Sequence, residues 1–181
     1  HGARDADRAF ALIERYGIAC DAERSGWIQL ADTQPALEDA RKRWRGWAEW
    51  GAPVRWLERD EAEALTGTRG YLGGWLDPRG GMVQPLSLAR GLARAAASAG
   101  ALVFARSRVT AIHPEGGGWR LSTASGAVRA RRMLLATNAL SDRLWPGFAA
   151  TMMPVWSFQT ATEPLPADSP VLRSRAVVSD T

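Results

Sequence analysis

Few side chains in this 181-residue chain are equipped for chemistry of their own: one cysteine, Cys20, two histidines, His1 and His113, and a single lysine, Lys42. Cys20 has no second cysteine to bridge to, and the two histidines cannot complete a four-ligand zinc site around it. Lys42 stands in a tryptophan-rich stretch rather than after a glycine-rich turn, so there is no P-loop. The sequence also lacks a paired-histidine zinc motif, a nucleophile elbow and a glycine-rich dinucleotide fingerprint after a strand. His113 ends a strand-like run beside Pro114 and Glu115 and carries no signature of a catalytic base.

What remains is the order of elements between Gln84 and Asn138. A helix opens at Pro85, carries Leu88, Leu92, Ala95, Ala96 and Ala99 on one face, and stops at Gly100. Strand-like Leu102–Phe104 follows. Then comes a meander: Arg108–Ile112, a turn at Gly116–Gly118, Trp119–Thr123, a turn at Ala124–Gly126, and Ala127–Ala130. The continuous apolar run Met133-Leu134-Leu135-Ala136-Thr137 predicts a strand buried on both faces of a parallel sheet, ending at Asn138 where a short helix begins. Two-lobed flavin domains complete a nucleotide-binding sheet with this order of elements. The small residues Ala136 and Thr137 let backbone come close to a cofactor, although the same residues also suit an ordinary strand-to-helix turn.

The rest of the chain frames that region. A helix is expected over Asp5–Tyr16, stopped by Gly17, and then a hairpin from Ile18–Cys20 to Gly26–Ala31. Thr33 caps a second helix with Pro35 in its first turn, and Trp44 and Trp47 belong to its apolar stripe before Gly51. A strand at Val54–Leu57, an acidic helix from Arg59 closed by Gly67, and an extended stretch at Tyr71–Leu76 interrupted by Gly73 and Gly74 come next. Asp77-Pro78-Arg79-Gly80-Gly81 forces a turn. Residues 152–162 predict a long strand, and Ala176–Val178 another.

Composition is that of a globular protein, 46% hydrophobic and 23% charged, which excludes disorder, collagen and coiled coil. No run of eighteen apolar residues is present for a bilayer span, and the first residues have no signal-peptide pattern. The formal charge is +4. The excess lies after Thr66, scattered through residues such as Arg106, Arg108, Arg120 and Arg129 without aromatic interleaving, and reads as a solvated basic face rather than a nucleic-acid site.

A series of blocks resembles one known family. Gly80–Pro85, Ser107–Ile112, Leu134–Ala139, Trp145–Gly147, and Met153–Val155 through Gln159–Leu165 are similar, in order, to the FAD-dependent D-amino-acid oxidase superfamily. The likeness is greatest toward glycine and sarcosine oxidases and gamma-glutamylputrescine oxidoreductases. It runs from about Asp7 to the end. The resemblance implies an α+β fold in which residues 1–84 are mainly substrate-lobe, 85–149 form part of an FAD-binding α/β lobe of the two-dinucleotide-binding type, and 150–181 return to the mixed substrate-lobe sheet. It implies FAD as cofactor, with Val109, Ala136, Thr137 and Asn138 bordering it, and Gln84, Pro154 and Trp156 on the substrate side. Trp156 stands where relatives often carry a basic residue.

The implied reaction is oxidation of the C–N bond of a small amine or amino acid, with no side chain assigned as catalytic and no metal. The family's first strand and phosphate-binding turn are expected upstream of His1 and the end of its flavin site beyond Thr181. The chain is therefore expected to be an internal piece whose partners are the flanking parts of the same polypeptide, and which by itself binds FAD weakly or not at all and is inactive. A cytoplasmic location is expected. Two other readings stay open, an FAD-dependent tRNA-modifying oxidase and a non-catalytic RNA- or protein-interaction module.

Overall fold

The structure, a computed structural model, describes residues 5–140, 144–153, 155–156, 160–166, 168–172 and 174–180. Two compact units divide the chain, one of His1–Ala101 with Glu163–Thr181 and one of Leu102–Thr162.

The first unit is built on a four-stranded mixed sheet in the order β2-β3-β1-β7. Strands β1 (Trp27–Ala31), β2 (Arg55–Glu58) and β3 (Gly73–Asp77) run antiparallel to their neighbours, and β7 (Val177–Asp180) lies parallel to β1. The two-residue alternation of a strand sends Trp27, Ala31, Trp56 and Trp75 to one face, under helix α2 (Gln34–Glu49). Ile28, Leu30, Leu57 and Val178 go to the other face, against helix α3 (Arg59–Thr66). Ile28, Leu30 and Leu57 are fully buried, each contributing about 1.5–3 kcal/mol by leaving water. The tryptophan stripe of α2 is core packing as expected, since Trp44 and Trp47 lie on the sheet.

Local signals set the helix ends. Thr33 Oγ1 accepts from Ala36 N–H at 3.4 Å, Pro35 occupies the first turn of α2, and Gly67 closes α3 in the left-handed conformation at φ 70°. Helices α1 (Asp5–Arg15) and α4 (Pro85–Ser98) meet around Ile13, Ile18 and Cys20, with Phe10, Val83 and Leu88 packed alongside.

Two expectations for this unit are corrected. Ile18–Cys20 forms no hairpin with β1; the partner of β1 is β3, with Ile28 opposite Leu76 and Leu30 opposite Gly74. Gly73 and Gly74 do not interrupt the extended stretch but lie inside β3, because a Cβ on Gly74 would run into the carbonyl oxygen of Gln29. Glycine there permits the close strand approach.

The second unit contains the expected antiparallel meander, β4 (Val109–Glu115), β5 (Gly118–Thr123) and β6 (Gly126–Ala130). Gly116 and Gly117 make the first turn at φ 57° and 77°. Residues 102–104 and 133–137 form no strand, against expectation. A strand exists only where a neighbour takes its backbone hydrogen bonds, and no described segment pairs with either run. Leu102 and Leu134 are 82% and 88% exposed. The long strand expected over 152–162 is likewise absent from its described residues, where Met153, Val155 and Trp156 are exposed; Pro154 lies outside the described residues. Short 3-10 turns occupy Asn138–Leu140 and Phe148–Thr151.

Candidate functional site

The second unit holds an open cleft of about 650 Å³ between one face of the β4–β6 ribbon and residues 133–140 with Leu144. Ile112 and Leu121, opposite each other in the β4–β5 register, form its floor. Val109 joins them although it stands three residues from Ile112, a spacing that would put it on the opposite face of a regular strand. The register slips between Val109 and Ala111, and this bulge re-aims Val109 so that both side chains line the cleft. Met133, Leu135, Thr137 and Leu140 make the facing wall, and Ser107 and Arg108 supply the polar rim.

Of the residues singled out in the sequence, Val109 and Thr137 are brought together on this cleft. Ala136 and Asn138 flank Thr137 and are exposed, with Asn138 in the left-handed conformation at φ 44°. Gln84 belongs to the first unit, where its Oε1 accepts from Ser87 N–H at 2.6 Å and caps α4. Trp156 is 87% exposed and does not line the cleft. Sequence reasoning passed over Ile112, Leu121, Leu140 and Leu144, which also line it. The apolar alternation of the meander carried the signal for the first two.

The opposite face of the ribbon is polar. His113, Arg120 and Arg129 form a cross-strand row, and Arg129 donates to Glu115 at 3.1 and 3.3 Å. Those hydrogen bonds hold the Glu115 carboxyl below its ordinary value. Among the described residues, no group of His, Cys, Asp and Glu is arranged to hold a metal ion. None of the described helices is long and apolar enough to cross a membrane.

An apolar cleft of this size, with a few polar groups at its rim and a run of small residues beside it, suits a large cofactor that carries a flat heteroaromatic end. The residues present fit FAD in that sense. Comparison with known proteins gives the same class. Residues 2–180 match the family described as FAD dependent oxidoreductase. Glycine oxidase of Geobacillus kaustophilus is 33% identical over 149 residues, covering 80% of this chain and 40% of that protein. Its crystal structure superposes with a TM-score of 0.69 at 31% identity, over 83% of this chain and 41% of that one. Gamma-glutamylputrescine oxidoreductase of Escherichia coli is 34% identical, over 86% of this chain and 37% of that protein. A bifunctional tRNA 5-methylaminomethyl-2-thiouridine biosynthesis protein of Burkholderia mallei is 32% identical, over 72% of this chain and 20% of that protein. The chain thus spans less than half the length of the curated relatives it matches. With nearly its whole length accounted for by one family, the chain belongs to the FAD dependent oxidoreductases.

Proposed function

We propose that the cleft beside β4–β6 receives the adenosine end of FAD, and that the protein containing this chain oxidises the C–N bond of a small amine or amino acid. The reading is carried by one observation, the meeting of Val109 and Thr137 on a single apolar cleft. Val109, with Ile112 and Leu121 behind it, gives a flat ring an apolar floor, while the exposed residues Ala136 and Asn138 beside it are small enough for close approach. Residues 85–149 serve as part of the FAD lobe, and 1–84 with 150–181 serve the substrate lobe. Gln84, Pro154 and Trp156 belong to the substrate side. FAD held there would supply the two-electron acceptor for the amine, whose imine product water would then hydrolyse. The chain's own part is to bind and orient, which is why no catalytic triad is needed.

The relatives named for glycine and gamma-glutamylputrescine suggest the substrates to try. The complete protein is expected to purify with visible flavin absorbance and to form peroxide with a small amine or amino acid, whereas the 181-residue chain alone is expected to hold FAD weakly or not at all. Val109→Glu places a charge on the apolar floor and is expected to reduce flavin content of the complete protein about tenfold. Full flavin content in that variant, with its circular dichroism unchanged, would overturn the assignment of the cleft.

A second reading is favoured by the arginine excess of residues 102–162 and by the tRNA-modifying relative. In it, the amine is carried on RNA. Association of the complete protein with tRNA that weakens steeply with salt would support it.

A further inference from the structure

The first unit has a recess of its own, about 280 Å³, on the α2 side of its sheet. Three indoles line it: Trp27 and Trp75, edge to face with centroids 5.0 Å apart, and Trp47 from α2. Trp75 is fixed by its Nε1–H donating to Gln29 Oε1 at 2.9 Å. Asp77 and Arg79 line it as well, each with its side chain only 17% exposed. Arg79 grips Asp77 side-on, Nε to Oδ1 at 2.8 Å and Nη2 to Oδ2 at 2.6 Å, and its guanidinium lies 5.5 Å from the centre of the Trp47 ring.

The pair is neutral in sum but unequal in what it still offers. Asp77 spends both oxygens on Arg79 and also accepts the Arg79 backbone N–H at 3.0 Å. Among the described residues Arg79 commits Nε and one Nη2 hydrogen, which leaves Nη1 and the second Nη2 hydrogen for a ligand. A second cation would meet the charge of Arg79, and the Trp47 face it would favour is already taken. Asp7, the other acid that acts on Arg79, is tied to Arg24 at 2.6 Å. A carboxylate matches the free edge of a guanidinium, and a ring matches indole walls. The volume falls at the small end of ligand pockets, which limits the occupant to about a single ring.

We propose that this recess binds a small aromatic carboxylate, its ring against Trp27, Trp47 and Trp75 and its carboxylate on Arg79. The test uses three pyridines of one shape and different charge on the 181-residue chain: nicotinate, nicotinamide and 3-pyridylmethylamine, followed by calorimetry and tryptophan fluorescence. Nicotinate is expected to bind saturably and about tenfold or more tighter than either of the others. Absence of saturable nicotinate binding, or equal or tighter binding of the amide or the amine, overturns the proposal. Arg79→Gln keeps a hydrogen bond to Asp77 and is expected to weaken nicotinate about tenfold; unchanged affinity overturns it. Should that variant not fold, Trp47→Leu serves, with loss of binding expected and retention overturning. Val109→Glu, in the other unit, is expected to leave nicotinate binding unchanged, which separates this proposal from the flavin assignment.

Discussion

Gly46 lies inside α2 with open space where a Cβ would point, and Gly91 lies inside α4 with Ile18 in that space. Replacing a helical glycine by alanine contributes about 0.5–1 kcal/mol where nothing else changes. Gly46→Ala is therefore expected to raise the denaturant midpoint by that amount of stability. At Gly91 the new methyl would overlap Ile18 Cγ2, and Ile18 is itself buried among Ile13 and Cys20. Overpacking costs about 1–3 kcal/mol, which exceeds the propensity gain. Gly91→Ala is expected to lower stability by about 1 kcal/mol in the same measurement. The two positions look alike in sequence, and only the nonlocal neighbour separates them. Asp77 is a second case. Burial works against its charge, but the hydrogen bonds from the Arg79 side chain and backbone N–H, with the attraction of the guanidinium, overcome that and hold the carboxyl below its ordinary 3.8. Between the folded value and 3.8 the unfolded chain binds more protons than the folded one, so stability falls as pH falls through that window. Asp77→Asn is expected to flatten this acid-side decline in chemical denaturation. The sequence shows Asp77–Gly80 as a turn, yet its charges become a half-buried pair in the fold, with Trp47 of α2 against Arg79.

Elements whose signals are local were legible, and elements whose partners are distant were not. Thr33, Pro35, Gly67 and Pro85 mark helix ends through their own backbone demands, and the β4–β6 meander pairs neighbours in sequence. The alternation of β1 is equally plain, but its partners β3 and β7 come from far along the chain, whereas the local sequence offers only the nearer apolar stretch Ile18–Cys20. The run 133–137 has the composition of a buried strand and no described partner, so composition alone overstated it. On the cleft, Val109 and Thr137 were accessible from sequence through the family blocks. The bulge that turns Val109 inward has no sequence mark. Gln84 shows how an element can claim a residue proposed for a site. Its side chain caps α4 at 2.6 Å from Ser87 N–H, so Gln84→Ala is expected to cost about 1 kcal/mol of stability in flavin-free protein. An unchanged midpoint in urea would mean that the cap does not act in solution.

Across the whole molecule, burial is unevenly shared. Every buried residue among those described belongs to the first unit, and none of the described residues of Leu102–Thr162 is buried. A three-stranded ribbon with an open apolar face has little to oppose the entropy of ordering it. The hydrogen bonds of β4–β6 therefore open at low cost in the 181-residue chain, while those of β1 and β3, held between α2 and α3, open only when the first unit as a whole unfolds. Amide exchange is expected to run at least about a hundredfold faster in β4–β6 than in β1 and β3. A ligand that fills the cleft changes this selectively, since binding at a hundred times its dissociation constant adds about 2.7 kcal/mol to whatever must form to hold it. In the complete protein, loading with FAD is expected to slow exchange in β4–β6 about a hundredfold and to leave β1 and β3 unchanged. Equal protection of both sheets before and after loading would mean that the ribbon is stable without its cofactor, and that the cleft is not where the flavin's binding energy is spent.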